Sequence, residues 1–147
     1  MPIDLSNYPP SWTEISWQVR FYRAQGRCEC IGECMSRRHL EFVQQQRKLH
    51  TFMTRCPAIH GLISPYADRA LTAPPVVLTT AHLDQDPSSD DTDRMRAMCP
   101  NCHLGYDRRL DQRALRAQVK LLASGHGRDI GEAGAGPDER EDPGEHA

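Results

Sequence analysis

Cys99-Pro100-Asn101-Cys102 sets two thiols on one tight turn, and Cys28-Glu29-Cys30-Ile31-Gly32-Glu33-Cys34 sets three more well upstream. Zinc takes four sulfur or nitrogen donors in a tetrahedron, and Gly32 gives the upstream segment the freedom to curl its sulfurs toward one ion. Two such knuckles separated by a long stretch are typical of a site that ties two parts of a fold together. There are more thiols than places. Cys30, Cys34, Cys99 and Cys102 make the best quartet, with Cys28 and Cys56 as alternates or as buried free thiols. The run from Cys99 to His103 also satisfies the c-type haem attachment pattern, but that chemistry normally goes with an export signal and would give the other four cysteines no role.

The elements that must position these residues follow from the pattern around them. Pro74-Pro75 delivers the chain extended into Val76 to Leu83, whose β-branched content predicts a strand. On a period of two, Val76, Leu78, Thr80, His82 and Asp84 share one face, which would place His82 beside Asp84. Asp86 to Asp93 is rich in turn formers, and Arg94 to Met98 suits a short return strand. From His103 to about Ala123 a helix is predicted. Leu110, Ala114, Leu115, Val119 and Leu122 form its packed side, and Arg108, Arg109, Arg113, Arg116 and Lys120 its outer face.

Upstream, Ser11-Trp12-Thr13-Glu14 reads as a capping box. A helix should start there and run to Gly26, burying a stripe of Trp12, Ile15, Val19 and Tyr22, with Trp17 and Phe21. Ser36 is placed to cap a second helix to about Thr54, with Leu40, Phe42, Val43, Leu49, Phe52 and Met53 on an imperfect apolar face. Residues 55 to 75 read as a loop that holds Cys56 and an incidental His60.

The chain has 147 residues, a formal net charge of −2 and a mean hydropathy of −0.66. That length predicts one domain over residues 1–124, with a cysteine-bearing N-terminal part (11–34), a helical insertion (36–54) and a strand–strand–helix core (76–123). Seven acids against Arg128 and Arg140 leave −5 on the last stretch and +3 on the rest. A mildly basic body permits an anionic partner, and the acidic, Gly- and Pro-rich tail from 125 to 147 is expected to be disordered. No apolar run approaches the roughly 20 residues that span a bilayer, and the N-terminus lacks the basic start and apolar centre of a secretion signal. A reducing cytosol is therefore expected, where six cysteines suit metal ligation better than disulfides.

A strand-borne His82 in Ala81-His82-Leu83-Asp84, a polar loop, and Cys99-Pro100-Asn101-Cys102-His103-Leu104-Gly105-Tyr106-Asp107 together resemble the HNH endonuclease family, in particular phage-type members. The likeness spans about residues 76 to 107, and more loosely the cysteines at 28 to 34. It implies a zinc-stabilised α+β domain of the ββα-metal fold that hydrolyses DNA phosphodiester bonds with Mg²⁺ or Mn²⁺. His82 matches the general base and His103 the last histidine of the motif, a ligand of the catalytic ion. The chain has Ala81 where many members carry an acidic ligand, and Arg94 near the middle asparagine. Asp84 is the carboxylate expected to stand in at the catalytic ion. His103, at the start of its helix, is also expected beside free amides that favour a phosphate.

Overall fold

The computed structural model describes residues 4–68 and 73–125. The acidic tail, apart from Gly125, lies outside them, and so does its expected disorder. The chain divides into two compact units, Met1–Arg113 and Ala114–Ala147. The first holds a helix α1 (Trp12–Trp17) that runs on as a π-helical segment (Gln18–Arg23). It also holds α2 (Arg37–Lys48), an antiparallel pair β1 (Thr79–His82) and β2 (Met95–Met98), and the start of α3 (Pro100–Gly125). The architecture is a small α+β arrangement in which strand, strand and helix follow each other directly.

The register pairs Thr79 with Met98 and His82 with Met95. Val76, Leu78 and Thr80 are buried on the predicted alternation, but the regular strand is shorter than Val76 to Leu83 and ends at His82. There the chain turns, with the Gln85 amide donating to the His82 carbonyl at 3.2 Å. The polar loop closes with local bonds of the expected kind, the Asp86 and Asp91 carboxylates accepting from the amides of Ser88 and Asp93.

The first helix departs from its predicted stripe. Ser11 precedes α1, yet its side chain makes no capping bond. Beyond Trp17 the turn widens, and Ala24 donates to the Val19 carbonyl five residues back at 3.1 Å. Val19 is buried as predicted and Trp12 and Ile15 pack against the core, but Ala24 is buried where the stripe expected Tyr22, which is 79% exposed, and Trp17 also lies in solvent. A wide turn rotates every following side chain off a 3.6-residue period, so the sequence stripe loses register there. The helix is tied to β1 by Ser16 and Thr80, whose hydroxyls lie 3.0 Å apart in the interior, and by Arg20 donating to the Leu78 carbonyl.

Helix α2 ends at Lys48, short of Thr54, and Leu49, Phe52 and Met53 are exposed. Its one fully buried side chain is His39, not the expected apolar set. Helix α3 begins at Pro100, earlier than predicted, a favourable first position because proline has no amide to leave unsatisfied. Its Gly105 faces the Cys34 segment, where an added Cβ would lie 3.0 Å from the Cys34 carbonyl oxygen and 3.1 Å from the Ser36 Cβ. In the second unit Leu115 and Val119 are more than half exposed, not packed as predicted. Among the described residues no helix is long and apolar enough to cross a membrane.

Candidate functional site: a cysteine centre beside a two-histidine cleft

Backbone pairing gathers the thiols. The Cys28 amide donates to the Ala58 carbonyl and the Cys56 amide to the Cys30 carbonyl, at 3.0 and 2.8 Å, so the loop that carries Cys56 runs alongside the upstream knuckle. On the other side Glu29 exchanges bonds with Ala97 of β2: its amide donates to the Ala97 carbonyl, and its carboxylate accepts from the Ala97 amide, each at 2.8 Å. The turn after β2 then supplies Cys99 and Cys102. All six cysteines are buried, and none is in a disulfide.

Two sets of four donors result: Cys28, Cys56, Cys99 and Cys102, and Cys30, Cys34, His39 and Cys102. Within each set the ligand atoms lie within 4.8 Å of one another. The expected quartet is thus divided, Cys99 falling in one set and Cys30 and Cys34 in the other, while the former alternates Cys28 and Cys56 are full members. His39 was not anticipated. Its nearest sequence signal is the Cys34-x4-His39 spacing at the start of a helix, obscured by Arg37 and Arg38 just before it.

The geometry suits a metal such as zinc. With Zn–S of about 2.3 Å and Zn–N of about 2.0–2.1 Å, a tetrahedron has S···N edges of about 3.5 Å and S···S edges of about 3.8 Å. His39 Nδ1 lies 3.5, 3.4 and 3.6 Å from the sulfurs of Cys30, Cys34 and Cys102, and the sulfurs of Cys56 and Cys99 are 3.8 Å apart. His39 Nε2 donates to the Thr54 carbonyl at 2.8 Å, which leaves the Nδ1 lone pair facing the sulfurs. Thiolates need donors of their own, and they have them. The amides of Cys99 and Ser36 point at Cys28 and Cys34 at 3.3 and 3.4 Å, and the Tyr66 hydroxyl points at Cys56 at 3.2 Å. Hydrogen bonds from Cys102 and Cys30 bring the Cys34 thiol down to about 4, toward the charged form that binds metal. Without a metal, burial disfavours a charged His39 ring, but the Cys30 sulfur and the Thr54 carbonyl outweigh it and raise it to about 9, so an ion that binds at Nδ1 displaces a proton there.

Next to this centre a cleft of about 420 Å³ is lined by Tyr8, Thr80, His82, Gln85, Pro87, His103, Asp107 and Asp111. It brings His82, from the end of β1, together with His103, from the first turns of α3. The His82 ring stacks on Trp12 with centroids 4.9 Å apart, and its Nε2 is buried with no hydrogen-bond partner. Leaving such an atom unpaired costs about 1–3 kcal/mol. His103 Nδ1 lies 2.6 Å from the Thr79 hydroxyl, and its Nε2 is 3.6 Å from the Asp107 carboxylate.

Asp84 is not in this cleft. Past the end of β1 it lies in the turn, where its carboxylate pairs with Arg94 at 3.7 Å and accepts from the Asp86 amide at 3.1 Å. The face predicted to carry it beside His82 ends with the strand. Asp107 and Asp111 take its place in the cleft, and their signal was in the sequence: His103, Asp107 and Asp111 recur at four-residue spacing along one side of a helix. The amide of His103 itself is not free, since it donates to the Cys99 carbonyl at 2.9 Å. His60 is structural, accepting from the Leu78 amide at 3.1 Å. A second cleft of about 500 Å³ is lined by Arg96, Arg109 and Arg113 together with Glu33, Tyr106 and apolar side chains. In comparisons with known proteins, no family model, no curated protein and no solved structure matches this chain.

Proposed function

We propose that the chain is a zinc-stabilised, metal-dependent DNA endonuclease of the HNH type. The observation that carries this reading is the meeting of His82 and His103 in one cleft across a strand–loop–strand–helix unit, where the Nε2 of His82 has no hydrogen-bond partner among the described residues. In the reaction His82 accepts a proton from water. The oxygen attacks the phosphorus, the bond to the leaving sugar oxygen breaks, and solvent returns a proton to that oxygen. A divalent ion such as Mg²⁺ or Mn²⁺ would offset the negative charge on the leaving oxygen. His103 and Asp107 are the residues to hold it: ligands about 2.1 Å from an octahedral ion lie about 3.0 Å apart, a small adjustment from the observed 3.6 Å. Arg96, Arg109 and Arg113 would meet the DNA backbone, giving affinity without sequence information.

The test is supercoiled plasmid incubated with the full chain and Mg²⁺ or Mn²⁺. Cleavage should vanish with brief EDTA treatment and return with added ion while the fold, held by the cysteine centre, persists. A second reading, a non-catalytic zinc module that binds DNA, is favoured by the loss of Asp84 to Arg94 and by Ala81, which is buried in the core. It prevails if the protein binds DNA but no divalent ion supports cleavage.

A further inference from the structure

The two donor sets are not alternatives. We propose that they are filled together, as a binuclear zinc centre in which the Cys102 thiolate bridges both ions. Two tetrahedra that share one corner have seven corners, and the chain supplies seven donors: all six of its cysteines and His39. No thiol is left over, and Cys102 alone belongs to both sets.

A single ion in either set would leave three buried donors on the other side converging on the same Cys102 sulfur with no ion between them. Their outer hydrogen bonds would persist, but the close convergence of the donor atoms would have no cause. One edge of the first set, the 3.8 Å sulfur pair of Cys56 and Cys99, and the three His39 edges of the second have tetrahedral lengths, and in both sets all four donors lie within 4.8 Å of one another. Each set also has its own outer support. The Cys99 amide and the Tyr66 hydroxyl serve the first, and the Ser36 amide and the Thr54 carbonyl serve the second. A thiolate has lone pairs to spare, so Cys102 can bind two ions with no further ligand.

The chemistry balances simply. The donors' remaining protons pass to solvent as two divalent ions bind, and six thiolates with a neutral His39 leave two negative charges on the cluster, toward which the supporting N–H and O–H groups point. The proposal stands independently of nuclease activity, because none of the seven donors lines the His82–His103 cleft.

The first measurement is zinc per chain in the folded, full-length protein purified with zinc present. Two ions are expected, and one ion per cooperatively melting chain overturns the proposal. The second is cadmium-113 NMR of protein reconstituted with cadmium alone. Two cadmium signals are expected, both coupled to the Cys102 β-protons, with His39 ring protons coupled to one of them. Two signals of which one alone couples to Cys102 would mean separate sites and overturn the bridge. Because both measurements use the unmutated chain, a variant that fails to fold cannot obscure the result.

Discussion

The Thr79 hydroxyl and His103 Nδ1 lie 2.6 Å apart, linking the first residue of β1 to the first turns of α3. Thr79 can donate to the Met98 carbonyl at 3.4 Å and so accept the Nδ1 proton. That tautomer leaves the Nε2 lone pair facing Asp107, two electron-rich atoms whose approach a shared cation would relieve. Thr79→Val should therefore weaken the catalytic ion about 10- to 100-fold, within the usual range for such outer contacts. The check is a Mn²⁺ titration of plasmid cleavage, with zinc content unchanged.

His82→Ala removes the proposed base without touching the cysteine centre. Cleavage should fall by about 10²–10⁴-fold, the typical contribution of a positioned base, while zinc content and DNA affinity hold. Equal cleavage by wild type and variant would assign the proton transfer to another group.

The two carboxylates are separable. Asp107→Asn should raise the Mg²⁺ or Mn²⁺ concentration needed for half-maximal cleavage, because it removes a charged ligand 3.6 Å from His103. Asp84→Asn should leave that concentration unchanged, since Asp84 is engaged by Arg94 outside the cleft. The reverse pattern would restore Asp84 as the ligand.

Gly105 tests the packing of α3 on the Cys34 knuckle. Glycine within a helix ordinarily costs about 1 kcal/mol relative to alanine. Here a side chain meets a backbone oxygen at 3.0 Å, which cannot swing away. Gly105→Val should destabilise the fold by about 1–3 kcal/mol, the usual cost of overpacking, and a thermal melt with zinc held constant would measure it. A melting temperature equal to wild type would show that the two segments slide apart freely.

The parts legible in the sequence were those governed by local rules. The β1–β2 pair and the polar turn between them follow from β-branched residues and Asp-rich turn chemistry, whereas the entry of α3 at Pro100 precedes the expected start at His103. What escaped depended on distant partners. His39 looks like one more polar residue in Arg37-Arg38-His39, and its role appears only when Cys30, Cys34 and Cys102 converge on its Nδ1. The ligand quartet was divided because spacing along the chain cannot say which of the four upstream thiols each cysteine of the turn will face. Asp84 was misplaced because the strand ends at His82, one residue before the predicted Leu83, which is enough to move a side chain from a cleft to a turn.

Cys102 also sets when the protein can begin to fold. Cys28 and Cys99 are 71 positions apart, and His39 and Cys102 are 63 apart. Closing such spans costs about 4 kcal/mol each in chain entropy, against about 10–16 kcal/mol that a structural zinc would supply, so a bound metal would decide the balance. During synthesis the upstream thiols leave the ribosome first and must wait, solvent-exposed and reactive, until the turn after β2 follows them. Neither tetrahedron can close on a nascent chain shorter than that. The interval is a window in which oxidation or a wrong metal can capture Cys28, Cys30, Cys34 or Cys56, and a supply of zinc during translation, rather than after it, should govern the yield of native protein.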